Sequence, residues 1–421
     1  MHIEHRIMFN LQQIKTPIPV KIMKQHIFFL SMLLVASMHL KAQPKTGKQV
    51  WKYKTGDKVV ASLLILGQQI YYGSTDGYVY CNALEDGKLL WKANLGKAIK
   101  SSAGAGDGKI FIGCENGNIY AIDALKGNIL WKFSTNGEKE YDLWDYYRSS
   151  PLYSNGKIFM GSGDGSIYCL NAADGKESWR FQTNGIVHAD PVIDKDTLYI
   201  GSFDGSFYAL EAGNGHLIWK FKTIGDRFFP KGEIQKAALV TNDALYFGSR
   251  DYNIYALNKK TGTGLWNMKE RGSWIIATPF EKNGNLFFGT SDTHAFYALG
   301  SEYGKVRWKT ALPMRVYDTP TAYDTLIFAG CHNGCLYGFG QNSGEIKWCF
   351  QTEDSKKNYA AVYTADGHFR KDFKLYDDDV TTKDSERKIL NLGSILSSPV
   401  VKNGIVYFGS TDGYIYAVRI D

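Results

Sequence analysis

The chain has 421 residues, 44% apolar, 22% charged and 14% aromatic, with 44 glycines against 10 prolines and a formal charge of +7. This composition excludes disordered, collagen-like and coiled-coil chains. Residues 1–42 carry Arg6, Lys15, Lys21, Lys24 and Lys41 against Glu4, so the remainder is only +3, too weakly basic to indicate a nucleic-acid partner.

The first element is a leader. Ile27–Met38 (IFFLSMLLVASM) is a short apolar run with Lys21 and Lys24 before it and His39-Leu40-Lys41-Ala42 after it. A basic front, a short apolar stretch and a small residue at its end read as a secretory signal peptide. The run is too short to span a bilayer comfortably. Cleavage is expected after Ala42, so that residues 1–42 are leader and 43–421 are a periplasmic or secreted protein with no transmembrane helix. The first cysteine is Cys81, which leaves no leader cysteine for lipid attachment.

After the leader the chain repeats. A Gly-x-x-(Asp/Asn) pattern recurs with its first glycine at Gly73, Gly113, Gly161, Gly201, Gly248, Gly289, Gly330 and Gly409. A second signature, Gly-x-x-x-Trp, places Trp51, Trp91, Trp131, Trp179, Trp219, Trp266, Trp308 and Trp348. The interval from motif glycine to next tryptophan is 18 residues in six copies and 19 in one. Each unit contains short alternating runs such as Ser166-Ile167-Tyr168-Cys169-Leu170, separated mostly by Asp-Gly or Asn-Gly turns, which predict strands joined by hairpins. Four strands in a repeat of about 40 residues is the signature of a propeller blade.

The two ends fix the number of blades. Gly47–Trp51 has no preceding glycine motif, and Gly409 has no following tryptophan. Joining them makes an eighth four-stranded blade whose outer strand comes from the N-terminal side, and the ring closes with no exposed sheet edge at its seam. The fold expected is an all-β, eight-bladed β-propeller.

The stretch Ala121-Ile122-Asp123-Ala124-Leu125-Lys126-Gly127-Asn128-Ile129-Leu130-Trp131 resembles the Ala-x-Asp-x-x-x-Gly-x-x-x-Trp repeat of the PQQ-like (pyrroloquinoline quinone-type) propeller family. The resemblance runs from Gly47 to Asp421. It implies the same fold, and a family that holds both quinoprotein dehydrogenases and non-enzymatic propellers such as the outer-membrane assembly factor BamB.

The eight repeated tryptophans are expected to plug between blades as structural residues. The Asp or Asn three places after each motif glycine is expected to make a hairpin turn rather than a calcium ring. Function is expected where the copies diverge. The connection from outer strand to next inner strand is lengthened after Trp131, Trp219 and Trp348, the last by a mixed-charge insertion over residues 353–393 before the final blade. All such connections leave a propeller on one face. They bring Tyr141, Trp144, Tyr146, Tyr147, Arg227, Phe228 and Phe229, which are candidates for a partner-binding face because exposed aromatics beside arginine suit hot-spot contacts. Within the 353–393 insertion a hairpin is expected around Asp366-Gly367, and Asp377-Asp378-Asp379 is expected to be solvated.

Thirteen residues before each motif glycine, at the mouth of the central funnel, stand Val60, Lys100, Arg148, His188, Gln235, Ile276, Tyr317 and Leu396. Lys100, Arg148, His188, Gln235 and Tyr317 are the candidate funnel ligands, and three potentially basic groups among them would suit an anionic guest.

The resemblance implies, for a quinoprotein dehydrogenase, adjacent cysteines near the cofactor and calcium held by convergent Glu, Asn and Asp. The six cysteines here include no adjacent pair, no Cys-x-x-Cys-His haem site exists, and the eight rim positions hold no carboxylate, Asp190 and Asp318 lying nearby. Cys335 is placed roughly across a hairpin from Cys349, which would allow one local bridge. The expectation is therefore a monomeric, non-catalytic scaffold that binds other exported or outer-membrane proteins, like BamB-type assembly factors, with no cofactor and no metal. The alternatives are a PQQ-dependent dehydrogenase, using PQQ with calcium, and a small-ligand or carbohydrate-binding propeller.

Overall fold

The alternating runs become strands. In blade 1, Leu64–Leu66, Gln69–Gly73, Tyr78–Ala83 and Leu89–Asn94 pair in that order, each antiparallel to the next. The computed structural model describes residues 43–421, so the leader expected over residues 1–42 lies outside them. Pro44–Asp421 holds eight such sheets, and their innermost strands are only two or three residues long because they crowd at the axis.

Blade 8 is built as the ends of the chain demand. Val400–Lys402, Ile405–Gly409 and Tyr414–Arg419 receive Lys48–Lys54 (β2) as their outer strand, with Trp51 opposite Ala417. A second closure was not foreseen. Lys45–Thr46 (β1) runs parallel to the outer strand Ile346–Gln351 of blade 7, with Lys45 opposite Trp348. The segment that completes blade 8 therefore also covers the edge of blade 7.

The tryptophans lock neighbouring blades together. The indole Nε1 of Trp51, Trp91, Trp131, Trp179, Trp219, Trp266 and Trp308 donates to a backbone carbonyl of the next blade at 2.9–3.1 Å, Trp131 reaching Ala172. Each ring lies on the glycine of the next Gly-x-x-x-Trp signature. At Gly175 (φ 72°) a Cβ would stand 2.6 Å from the Trp131 ring, so only glycine permits both the left-handed turn and the close approach. The repeat thus encodes a knob and, one blade on, its hole. A bulge at the residue before each tryptophan sets the ring's direction in all eight blades.

The motif carboxylates make the expected turns and more. Asp164 accepts from Ser166 N (2.7 Å), from the Tyr168 hydroxyl (2.6 Å) and from Asn136 N of the preceding connection (2.9 Å). The local disulfide does not form. Cys335 stands opposite Gln351 rather than Cys349, and all six cysteines are free.

The last insertion is folded. It contains helix α1 (Glu353–Asn358), a bridge between Tyr363 and Phe369 around Gly367, and helix α2 (Asp379–Leu390). The acidic triplet is exposed, as expected, but Asp378 is also the N-cap of α2, accepting from Thr381 N at 2.7 Å.

Candidate functional site

The mouth of the funnel is filled by the chain's own loops. The connection between blades 2 and 3 folds inward and places Tyr146 and Tyr147, 8% and 4% exposed, among Val60, Trp274, Ile276, Tyr317 and Leu396. The Tyr147 hydroxyl donates to the Leu396 carbonyl at 3.0 Å. Trp144 Nε1 and the Tyr146 hydroxyl both donate to Glu386, which helix α2 carries in from the last insertion.

Three buried arginines surround this plug, each met by acids. Arg148 Nε lies 2.7 Å from Glu115 and 3.7 Å from Glu138, and its Nη1 3.4 Å from Asp145. Arg250 donates to Gln235 (2.8 Å) and to Asp142, and its guanidinium stacks 4.4 Å from the Trp274 ring. Arg315 donates to Glu386 and to the Tyr376 hydroxyl, both at 2.7 Å. His188 is buried with Nδ1 3.0 Å from Asp145 and Nε2 3.2 Å from Glu138. Burial works to lower the His188 pKa, but the hydrogen bonds to Asp145 and then Glu138 outweigh it and hold the imidazolium above its usual range. Lys100 is 3.9 Å from Glu115.

This corrects the expectation of a basic, carboxylate-free funnel mouth suited to an anionic guest. Each predicted cation is there, but Glu115, Glu138 and Asp145 arrive from a motif turn and an insertion to neutralise it, as Asp142 and Glu386 do for Arg250 and Arg315. Charges drawn out of water must be paired, and here the pairing is internal. Gln235 is committed to Arg250 and to the Trp144 carbonyl (3.1 Å), and Tyr317 to Ser291 (2.7 Å). Arg250, Arg315 and Glu386 were not among the predicted residues. Arg250 has a weak sequence signal, standing at a motif position held by Thr, Gly or Phe in several other blades. Glu386 has none, being one acid in a mixed-charge insertion.

Beneath the plug lies a second charged group. Burial holds the Lys236 ammonium below its usual range and pushes Asp190 up and Asp318 up to about 8. The Lys236 Nζ sits 3.8 Å from the Tyr147 ring centre. Asp190 accepts from Ser150 N and one Asp318 oxygen from Gly330 N, both at 2.7 Å.

The partner-face candidates divide. Only Arg227 and Phe228 stand exposed, Phe228 at 72%. Tyr146 and Tyr147 are buried, while Tyr141, Trp144 and Phe229 are half-buried. This corrects the expectation that all seven present themselves to a partner: large rings next to an unfilled axis bury more area by folding inward. The rings that are not buried in the plug are joined through Trp274, itself only 7% exposed. Phe229, Trp274, Trp144 and Tyr376 follow one another with ring centres 5.0, 5.6 and 6.3 Å apart. In sequence, exposed Phe228 precedes Phe229, and exposed Val380 stands four residues after Tyr376.

Fold and site together define an eight-bladed propeller of PQQ-like type whose inserted loops fill one end of its axis. The family model described as outer membrane protein assembly factor BamB matches residues 75–143, 115–269 and 250–366, and the chain belongs to that family. Among solved structures it is similar to BamB from Moraxella catarrhalis (18% identity, TM-score 0.67, covering 89% of this chain and 99% of that one). It is also similar to the computationally designed Ika8 protein (14%, TM-score 0.65, 89% and 100%). A quinohemoprotein alcohol dehydrogenase from Comamonas testosteroni is matched as well (11%, TM-score 0.66, 89% and 76%). Likeness at these identities is one of fold alone. No curated protein sequence matches the chain. No helix among the described residues is long and apolar enough to cross a membrane.

Proposed function

We propose that this is an exported, non-catalytic propeller that binds other exported or outer-membrane proteins through its insertion-bearing face. The observation that carries this reading is the aromatic ridge from Phe229 to Tyr376, with the exposed Phe228 at one end, laid on a plug held by buried ion pairs. Rigid, partly exposed rings rimmed by arginine make good anchors, because little side-chain entropy is lost when a partner covers them. Membership of a family described by an assembly factor supports a protein partner.

The quinone reading is supported less well. A tricarboxylate cofactor in this funnel would compete with Asp142 for Arg250 and with Glu386 for Arg315, and it would have to displace Tyr146 and Tyr147. The residues present do not fit that group.

Two experiments test the proposal. Affinity capture from a periplasmic extract should recover a discrete partner with the native chain and lose it with Phe228→Asp. The same partner captured equally by that variant would remove this face from the proposal. Incubation with the quinone and calcium should leave the absorption spectrum of the protein unchanged, whereas stoichiometric uptake with dye-linked alcohol oxidation would overturn the non-catalytic reading.

A further inference from the structure

The opposite face carries a groove that the ring's symmetry does not explain. Between blades 6 and 7, at the hairpins beside Gly284, Gly304 and Gly344, lies a half-open crevice of about 650 Å³. The matching crevice between blades 4 and 5 holds about 330 Å³. There Lys259 reaches Asp194 at 2.6 Å and bridges the gap.

Of two unusual glycines nearby, Gly300 lines the larger crevice. The last residue of the third strand is Ala83, Asp123, Asn171, Glu211, Asn258 or Arg419 in six blades, but Gly300 and Gly340 in blades 6 and 7. Where it is Asp or Asn, it caps the following turn: Asp123 accepts from Leu125 N (2.9 Å) and Asn258 from Lys260 N (3.0 Å). Gly300 forgoes that cap although its own backbone does not require glycine, since its φ is not positive. A Cβ there would stand 3.0 Å from the Arg307 guanidinium, so the missing side chain makes room for that arginine. A turn cap given up to seat one arginine points to use of that arginine.

The lining combines an exposed aromatic ring, amides, two cations and one acid, Glu302, which sits beside Tyr303. Tyr303 is 76% exposed and offers a ring face to an apolar C–H surface. Asn283, Asn285 and Asn342 present amide donors and acceptors suited to hydroxyl groups. Arg307, at the bulge where four blades carry Leu or Ile, projects into the crevice beside Lys305. Among the described residues Arg307 enters no ion pair, so its fork stays available for a carboxylate.

We propose that this crevice binds an acidic saccharide, with a sugar ring stacked on Tyr303 and its carboxylate on Arg307. Calorimetric titration of the intact protein with trigalacturonate tests it, with neutral cellotriose as comparison. Saturable binding of trigalacturonate is expected, weakened by about tenfold or more in Arg307→Ala and in Tyr303→Ala. Gly300→Asp should abolish it while leaving the thermal midpoint unchanged or raised, because that variant fills the groove and restores the turn cap of other blades. No saturable binding at millimolar trigalacturonate, equal binding of cellotriose, or binding indifferent to all three substitutions would each overturn the proposal. The groove lies away from the aromatic ridge, so partner capture by Phe228 is unaffected by its failure.

Discussion

Arg315 and Glu386, 71 positions apart, meet at 2.7 Å with side chains only 0% and 2% exposed. One belongs to the connection entering blade 7, the other to helix α2 of the last insertion. Trp144 and Tyr146 donate to the same carboxylate, so a single acid joins two insertions to the wall of the funnel.

Glu386→Ala strands a buried guanidinium, which costs about 3–5 kcal/mol. Urea unfolding followed by tryptophan fluorescence should show that loss. Adding Arg315→Met to it should recover much of the stability, since the uncompensated charge is then gone. A double variant as unstable as the sum of the two single changes would mean that the pair acts through packing alone.

The knob and hole between blades are tested by Trp131→Ala and Gly175→Ala. Removing the ring should cost about 3–5 kcal/mol. Gly175→Ala forces a Cβ into the same ring at 2.6 Å from a position of positive φ, so thermal unfolding should be lowered markedly there too. Equal midpoints for Gly175→Ala and the native protein would refute the role assigned to that glycine.

His188 makes stability depend on pH with a definite sign. Its folded pKa is raised, by Asp145 and then Glu138 acting against burial. The contribution is therefore complete below the unfolded value of about 6.5 and is lost as pH rises through the folded pKa. Asp145 acts at the other end. Burial works to raise its pKa, but the His188 hydrogen bond and nearby cations lower it overall, so its contribution fades as pH falls into the acid range. Unfolding free energies measured between pH 5.5 and 8.5 should decline across this window for the native protein, and His188→Gln should flatten that decline.

Ring closure is tested by a chain beginning at Thr55. It lacks β1 and β2, hence the outer strand of blade 8 and the Trp51 indole bonded to Leu84. The thermal midpoint should fall by many degrees or the chain should fail to fold. An unchanged midpoint would mean that the seam contributes nothing.

Much of this molecule is legible in one dimension because its architecture repeats. The Trp131-on-Gly175 contact recurs at fixed spacing, so periodicity exposes the number of blades and the supplier of the missing strand. The candidate site was legible only in part. Lys100, Arg148 and His188 could be placed at the funnel mouth by counting from each motif glycine, but Glu138 and Asp145, which meet Arg148 and His188, lie in a connection that obeys no period.

Read alone, then, the chain settles an eight-bladed ring, its seam and the face that receives the insertions, since strand alternation and turn chemistry are local and recur eight times. Folding in three dimensions settles whether that face is open or filled. Arg250 finds Asp142 across 108 positions and Arg315 finds Glu386 across 71, contacts made once each, driven by the cost of leaving a charge unpaired at the axis. A unique contact leaves no repeating trace in sequence, and so the plug could be seen only in the folded protein.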